Sequence, residues 1–549
     1  MSVSEKDVRT TAPSAHGPAV LDEAHIGDIR GALGTIRLGD TAPRRGIRSR
    51  LLALAAIMGP GLIVMVGDND AGGVSTYAQA GQNHGTTLLW TLLLLIPVLI
   101  VNQEMVVRLG AVTGVGHARL INERFGRFWA VFSVGDLFIL NFLTIVTEFI
   151  GISLASQYLG ISSYITVPLG AAMLIAITAS GNFQRWERFM FFFLVGNLMV
   201  LPLVILSHPD GHSVAHDFLV PGIKGGFSSD AVLLIIAVVG TTVAPWQLFF
   251  QQSNVVDKRI TPRWIGYERA DTVIGAFVVV IGAAAIMIAA AFAFSGTSDF
   301  GQFTDAGGVM KGLADHLGRS EGAIFALILL DASIIGAGAV TLATSYAFGD
   351  ISGLRHSLHR SFRDAKFFYG TYAGVVAFAA AIVLVPRAPL GVMTTAVQAL
   401  AGILLPSASM FLLLLCNDPE VLGPWVNRPW LNALSTVIIG VLLMLSAILV
   451  ISVVLPGVDV GKLVVVMGAL LVTALLIGGA VLFSRRTAGP ALPEVSREDR
   501  MNWRMPPLAL LQRPVWSRGR SIAMYTLSGY LVIAVLLLIV KAVELASGH

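Results

Sequence analysis

Apolar residues in this chain gather in long runs separated by short polar stretches, without the strict alternation of amphipathic strands. The hydrocarbon core of a bilayer is about 30 Å thick and takes roughly 20 apolar residues in a helix. Thirteen segments reach that length: 51–80, 85–110, 128–158, 163–181, 188–206, 230–256, 271–295, 321–349, 367–386, 390–416, 431–455, 461–484 and 521–546. The pattern predicts an all-α integral membrane protein with about 13 transmembrane helices. Residues 1–50 contain no such run, so no cleaved signal peptide is expected. They read as a loosely ordered cytoplasmic tail.

Composition sharpens this picture. Of 549 residues, 55% are hydrophobic and only 13% are charged, where a soluble chain carries about 25%. Three or four soluble domains of this total length would need more polar surface. A single cysteine, Cys416, excludes an internal disulfide and a cysteine-built metal cage. The net charge of +4 does not point to nucleic acid, because the basic residues sit between apolar runs, as the positive-inside rule requires. With the N-terminus inside, one set of connections holds Arg44, Arg45, Arg48, Arg50, Arg119, Arg124, Arg127, Arg185, Arg188, Lys258, Arg259, Arg263, Arg269, Arg355, Arg360, Arg363, Lys366, Arg428 and the arginines of 485–520. The other set holds only Lys224, Lys311, Arg319 and Arg387. An odd number of spans then places the C-terminus outside. Asp210, Asp217, Asp299, Asp305 and Asp315 in the outer loops read as ordinary solvated charge, or as a weak funnel for cations.

Two spans are interrupted by polar residues. The first contains Gly59-Pro60-Gly61 and then Gly67-Asp68-Asn69-Asp70-Ala71-Gly72-Gly73. Each ionised group in mid-bilayer costs about 2.5–3.5 kcal/mol on insertion scales, so this stretch cannot be regular helix facing lipid. The sixth span carries Gly240-Thr241-Thr242-Val243-Ala244-Pro245-Trp246-Gln247. Pro245 lacks an N–H and clashes with the carbonyl of Thr241, which leaves carbonyls free beside two hydroxyls. Spans one and six occupy matching places if the first ten spans form two five-helix halves. Paired, interrupted segments of that kind point to a transporter's central site.

The donors in the breaks are carboxylate, carbonyl, hydroxyl and amide oxygens, with no thiol or imidazole. Such a set suits hard cations, magnesium, calcium or manganese. Asp68 and Asp70 would diverge by about 200° on a helix. One is expected to touch the ion, with the other behind it or along its path. Further polar groups inside spans are Glu148 with Thr147, Asp331, Asp136, Gln398, and the Gln251-Gln252 pair, which suits contacts between helices. Gly336-Ala337-Gly338 reads as close helix packing rather than a dinucleotide motif. No nucleophile–base pair or phosphate loop stands out, so no enzyme is expected. No cofactor, nucleic-acid partner or obligate protein partner is expected either; the partners are divalent metal ions and the lipid bilayer.

The run GPGLIVMVGDNDAGGVSTYAQAG from Gly59 to Gly81 resembles the first transmembrane helix of the Nramp divalent-metal transporters. Arg108-Leu109-Gly110-Ala111-Val112-Thr113-Gly114, Glu148-Phe149-Ile150-Gly151, Ala244-Pro245-Trp246 and LLPSASMFLLLLCNDPEVLG are similar to further segments of that family. The likeness extends over about residues 51–430. It implies an inverted-repeat fold of the LeuT type, 5+5 spans with helices 1 and 6 unwound, that carries a divalent metal ion inward across the plasma membrane. By position the resemblance gives Asp70 as the carboxylate ligand and Gly67 and Thr241 as carbonyl donors. It also identifies departures. The family's asparagine is Gly73 here, its methionine Ala244, its histidine Trp246, and an aspartate one turn before Glu148 is Ile145. Loss of the thioether weakens the preference for transition metals over hard ions, as in the magnesium-transporting branch, so manganese and/or magnesium is expected as the substrate. Asp68, Asn69 and Thr242 are candidate replacements for the lost ligands. Glu148, Asp331 and Gln398 are candidates for a proton or ion pathway.

These readings divide the chain into a tail (1–50), a transport core (51–416), two additional helices (417–484), a basic cytoplasmic linker (485–520) with Trp503 and Trp516 at the interface, and a C-terminal helix (521–549). The alternative function on the same fold is transport of an amino acid or other organic substrate, with half-helix N-termini cradling a carboxylate.

Overall fold

The computed structural model of the protein describes residues 22–385, 390–455, 457–484 and 496–512, with a few isolated residues between 524 and 532. The expected C-terminal span at 521–546 therefore lies outside the described residues but for those few. The principal helices are α1 (Ile47–Ile57), α2 (Pro60–Val66), α3 (Ala71–His84), α4 (Leu89–Thr113), α5 (Arg127–Tyr158), α6 (Ser163–Ala179), α7 (Phe183–Gly196) and α8 (Val200–Leu206). They continue with α9 (Ser229–Thr242), α10 (Pro245–Asp257), α11 (Ile265–Phe294), α12 (Arg319–Ser352), α13 (Lys366–Val383), α14 (Leu390–Cys416), α15 (Pro429–Val454) and α16 (Val460–Ser484). The other twelve expected spans each fall on one of these helices or on a broken pair. Among the described residues, ten helices are long and apolar enough to cross a bilayer, and eleven if α1 and α2, bent by 58°, count together. The lower figure has two causes: the first span is divided at its break, and α6 has only 17 residues.

The helices sort into two groups. The interrupted pair α2–α3 packs with α4, α11 and the second interrupted pair α9–α10. Helices α5, α6, α12 and α13 pack on one another as a second group. Helix α14 leans on both, against α9 and against α5. Spans one, two, six and seven thus form one body and three, four, eight and nine the other, with the two breaks between them. The ends of the elements follow from local chemistry. Gly59 takes a φ of 155°, open only to glycine, and Pro60 starts α2 at a position where its missing N–H costs nothing. Gly114, in the left-handed region, ends α4. Asp210 and Asp305, in the loops expected outside, cap short helices.

Part of the expected loose tail is ordered. Asp22 caps a short turn, and a two-stranded antiparallel hairpin, β1 (Ile29–Gly31) with β2 (Gly34–Ile36), packs against α1 and α7. The Ala32 N–H donates to Glu187, and Arg188 donates to the Ala32 carbonyl at 3.2 Å. Asp22 pairs with Arg360, and Arg259 donates to the carbonyls of Ala24 and Asp28. The sequence conceals this because the segment's binding partners lie more than 150 residues away.

Candidate functional site

Between α2 and α3 the chain leaves the helix at Gly67–Asp70. Asp70 is extended, with φ −71° and ψ −177°, and its side chain accepts the Gly73 N–H at 2.7 Å, capping α3. Unwinding puts both acids and Asn69 inside the protein, each at most 3% exposed, which a continuous helix would not allow. The Ala71 N–H would donate to the Gly67 carbonyl in a helix; here it donates to Glu148 Oε2 at 3.0 Å. Gly67 therefore presents a released carbonyl.

The second break is shorter. Val243 and Ala244 separate α9 from α10, and Pro245 is the first residue of α10. The proline does not kink a continuous helix; it starts a new one. Its missing N–H is the one that would have served Thr241, so the Thr241 carbonyl is released by the same logic as that of Gly67.

The two breaks meet at Gly73. A β-carbon there would stand 2.6 Å from the Asp68 carbonyl oxygen, 3.0 Å from Thr241 Oγ1 and 3.4 Å from Asp70 Oδ1. A larger residue at position 73 would push into that carbonyl, and the absent side chain leaves three kinds of oxygen facing one point. Among the described residues, both Asp68 carboxylate oxygens, Asn69 Oδ1, Glu148 Oε1 and Thr241 Oγ1 are buried without a hydrogen-bond partner. Buried oxygens are normally satisfied, so this concentration of bare acceptors suits a positively charged ligand. No group of three or more His, Cys, Asp or Glu side chains that could hold a metal ion occurs among the described residues. Any ion held here would therefore lean on backbone and hydroxyl oxygens.

The other expected positions divide. Glu148 stands beside Asp70, and Gly336 of α12 faces both; a β-carbon at Gly336 would lie 2.7 Å from Glu148 Oε2 and 2.8 Å from Asp70 Cβ. Gln398 of α14 lies against Gly72, and its Nε2 has no partner. Trp246 is buried with its ring edge at Gly67, where a β-carbon would be 3.2 Å away. Ala244 is buried and adds no donor atom. Thr242 departs from expectation. Its hydroxyl binds Val238 O at 2.7 Å and the Tyr77 hydroxyl at 2.8 Å, and its carbonyl accepts from Gln247 at 3.2 Å. Both of its oxygens are engaged. Asp331 is not brought to the site; it accepts from Asn197 at 3.0 Å, between α7 and α8. Asp136, with Ser133, Pro245 and Phe249, lines a small cavity of about 10 Å³.

Gln247 and Tyr77 were not singled out by the sequence. Gln247 is linked to Gln103 at 2.8 Å and lies alongside Asp68. Tyr77 is two turns beyond Asp70 on α3, a spacing that puts it on the same face.

The profile for "Nramp: Natural resistance-associated macrophage protein-like" matches residues 61–452. The chain belongs to the Nramp family. Among its relatives, the "Divalent metal cation transporter MntH" of Aeromonas hydrophila is 26% identical over 416 residues, covering 72% of this chain and 95% of the relative. The "Divalent metal cation transporter MntH 1" of Pseudomonas aeruginosa is 27% identical over 412 residues, covering 72% and 91%. The crystal structure of the Eremococcus coleocola manganese transporter, in complex with an aromatic bis-isothiourea compound, superposes with a TM-score of 0.59 at 20% identity, covering 81% of this chain and 96% of that one. The Nramp chain thus has the LeuT-like fold expected from its sequence, and its relatives are transporters rather than enzymes.

Proposed function

We propose that this Nramp protein imports a hard divalent cation, Mn2+ and/or Mg2+, across the plasma membrane, with its N-terminus in the cytoplasm. The observation that carries the reading is the meeting of the Asp70 carboxylate, the Asp68 carbonyl and the Thr241 hydroxyl around Gly73, with the carbonyls of Gly67 and Thr241 released beside them. Asp70 is the principal ligand in this reading, with Gly67 and Thr241 as carbonyl donors. Asp68 replaces the lost side-chain ligands, because its oxygens are bare where those of Thr242 are engaged. With Ala244 in place of a thioether, oxygen alone supplies the contacts, which favours hard ions. Mn2+ and Mg2+ take such oxygens at about 2.0–2.2 Å and keep part of their water.

The Asp70 and Glu148 side chains lie side by side beneath Gly336, and two carboxylates buried that close favour a proton on one of them. A dication arriving at Asp70 would displace it toward Glu148 and the adjoining Gln398, a route for proton coupling. The same acids repel an anionic substrate group, which disfavours an amino acid. Uptake of Mn2+ and Mg2+ into proteoliposomes by wild type and Asp70→Ala tests the reading. Saturable uptake abolished by the substitution is expected, and unchanged uptake would remove Asp70 from the mechanism.

A further inference from the structure

The basic segment after α16 contributes to a second cavity, unrelated to the ion site. Residues Arg497–Asn502 form a short helix capped by Ser496. It packs beside Pro262–Trp264, next to the start of α11. Between this helix, the lower half of α4, the start of α11 and the start of α15 lies a cavity of about 660 Å³. Six arginines line it, Arg108, Arg263, Arg269, Arg428, Arg497 and Arg500, against a single acid, Glu104.

That acid is already shared. Glu104 accepts from Arg108 at 3.0 Å and also pairs with Arg269. Arg108 is buried, 4% exposed as a side chain, and spends its remaining amino groups on Trp425 O at 2.5 Å and Asn427 Oδ1 at 2.6 Å. Its Nε, with those of Arg269 and Arg500, is buried without a partner. Burial first, and then the nearby charges of Arg428, Arg269 and Arg108, lower the Arg500 pKa. Positive charge therefore exceeds what the protein neutralises, and like charges that crowd a cavity of this size call for an anion.

The remaining walls indicate which anion. Ile100, Val101, Ile265 and Leu431 are apolar and belong to membrane-spanning helices. Trp430, 61% exposed, stands at the rim, and Trp425 stacks beneath the Arg500 guanidinium at 4.2 Å. Indoles at that level mark the membrane interface. A free phosphate would use the arginines and leave the apolar walls bare. We propose that this cavity binds the phosphate headgroup of an anionic phospholipid from the cytoplasmic leaflet, with its acyl chains along α4 and α15. Basic pockets between spans on that face recognise such headgroups, and a bidentate guanidinium suits a phosphodiester.

Native mass spectrometry of the full chain in detergent, titrated with dioleoyl phosphatidylglycerol, dioleoyl phosphatidylcholine, sn-glycerol 3-phosphate and inorganic phosphate, tests the proposal. Retention of phosphatidylglycerol at least tenfold above phosphatidylcholine is expected, with no displacement by either soluble phosphate. The exposed pair Arg428→Ala/Arg497→Ala should bring retention down to the phosphatidylcholine level while the gel-filtration profile stays unchanged. A control pair, Arg185→Ala/Arg363→Ala, removes the same charge elsewhere and should not. Equal retention of the two lipids, or full retention by the first pair, overturns the assignment. Displacement by glycerol phosphate also overturns it, in favour of a soluble ligand. Should the first pair not fold, the comparison of lipids on wild type still decides.

Discussion

The two interruptions face each other across one site but are built differently. The first, at Gly67–Asp70, holds two acids and an amide, and one of its flanking helices, α2, has only seven residues. The second, at Val243–Ala244, holds two apolar residues between helices of 14 and 13 residues. All side-chain charge at the junction thus comes from the first half of the chain. The second half adds the Thr241 oxygens and, through Pro245, a released carbonyl. Support differs as well. Helix α2 is held at its lower end by Asp271, which accepts the N–H groups of Gly59 at 3.0 Å, Gly61 at 2.8 Å and Leu62 at 3.3 Å. Lys258 adds a bond to Met58 O at 2.8 Å and an ion pair to Glu187 at 2.6 Å. Polar clamps can be broken and re-formed, whereas long packed helices cannot slide cheaply. The comparison predicts α2 as the moving part and the second break as the fixed wall.

The largest effect is expected at the charged break. Removal of the principal carboxylate of the proposed site by Asp70→Ala should cost about 3 kcal/mol or more, roughly 100-fold in apparent affinity for Mn2+, measured by uptake or isothermal titration. An equal loss from Thr242→Val, which touches only oxygens already engaged, would contradict the asymmetry. Next comes the clamp. Asp271→Asn exchanges a charged acceptor for a neutral one, worth about 1.4 kcal/mol or tenfold in the population with α2 displaced. Since Cys416 is buried, a thiol reagent would report Met65→Cys alone, and its labelling should quicken by about that factor with Asp271→Asn. A smaller change is expected at the fixed wall. Ala244→Met supplies a soft ligand and should shift competition toward Mn2+ or Cd2+ over Mg2+ by several-fold, read as relative inhibition of uptake.

The smallest effect concerns the hairpin packed on α1 and α7. Burial lowers the pKa of His25 to about 4 despite Asp257 3.5 Å away, so the ring docks neutral. A folded-state pKa below the unfolded 6.5 means that docking is fully stabilised above pH 6.5 and weakens as pH falls toward 4. Hydrogen-exchange protection of residues 29–36, corrected for intrinsic rates, should fall across that window, and His25→Gln should flatten the dependence.

The membrane class, the placing of twelve apolar segments on helices and the location of both breaks were legible because their cause is local. Apolar length and a misplaced Asp, Gly or Pro carry their energetic meaning wherever the chain goes. The Thr241 carbonyl could be named because helix geometry alone says which carbonyl Pro245 releases, whereas Asp70 and Gly67 were named by position from the resemblance to the Nramp family. Asp331 could not be placed for the converse reason: an acid within a span must find a partner, and whether that partner is Asn197 or the ion site depends on which neighbours pack there. Thr242 failed as a free donor because Gln247 and Tyr77 reach it through turns of helix that residue type does not reveal.

The sequence by itself therefore determined that this chain lives in a bilayer, where it must unwind, and which oxygens it exposes on doing so. Only the tertiary structure decided that Asp68 stays bare while Thr242 is sealed, that an N-terminal hairpin packs on α1 and α7, and that six arginines from distant segments crowd one cavity. Apolar burial and backbone hydrogen bonding are fixed by neighbours along the chain, whereas satisfaction of a polar atom depends on groups that packing brings from hundreds of residues away.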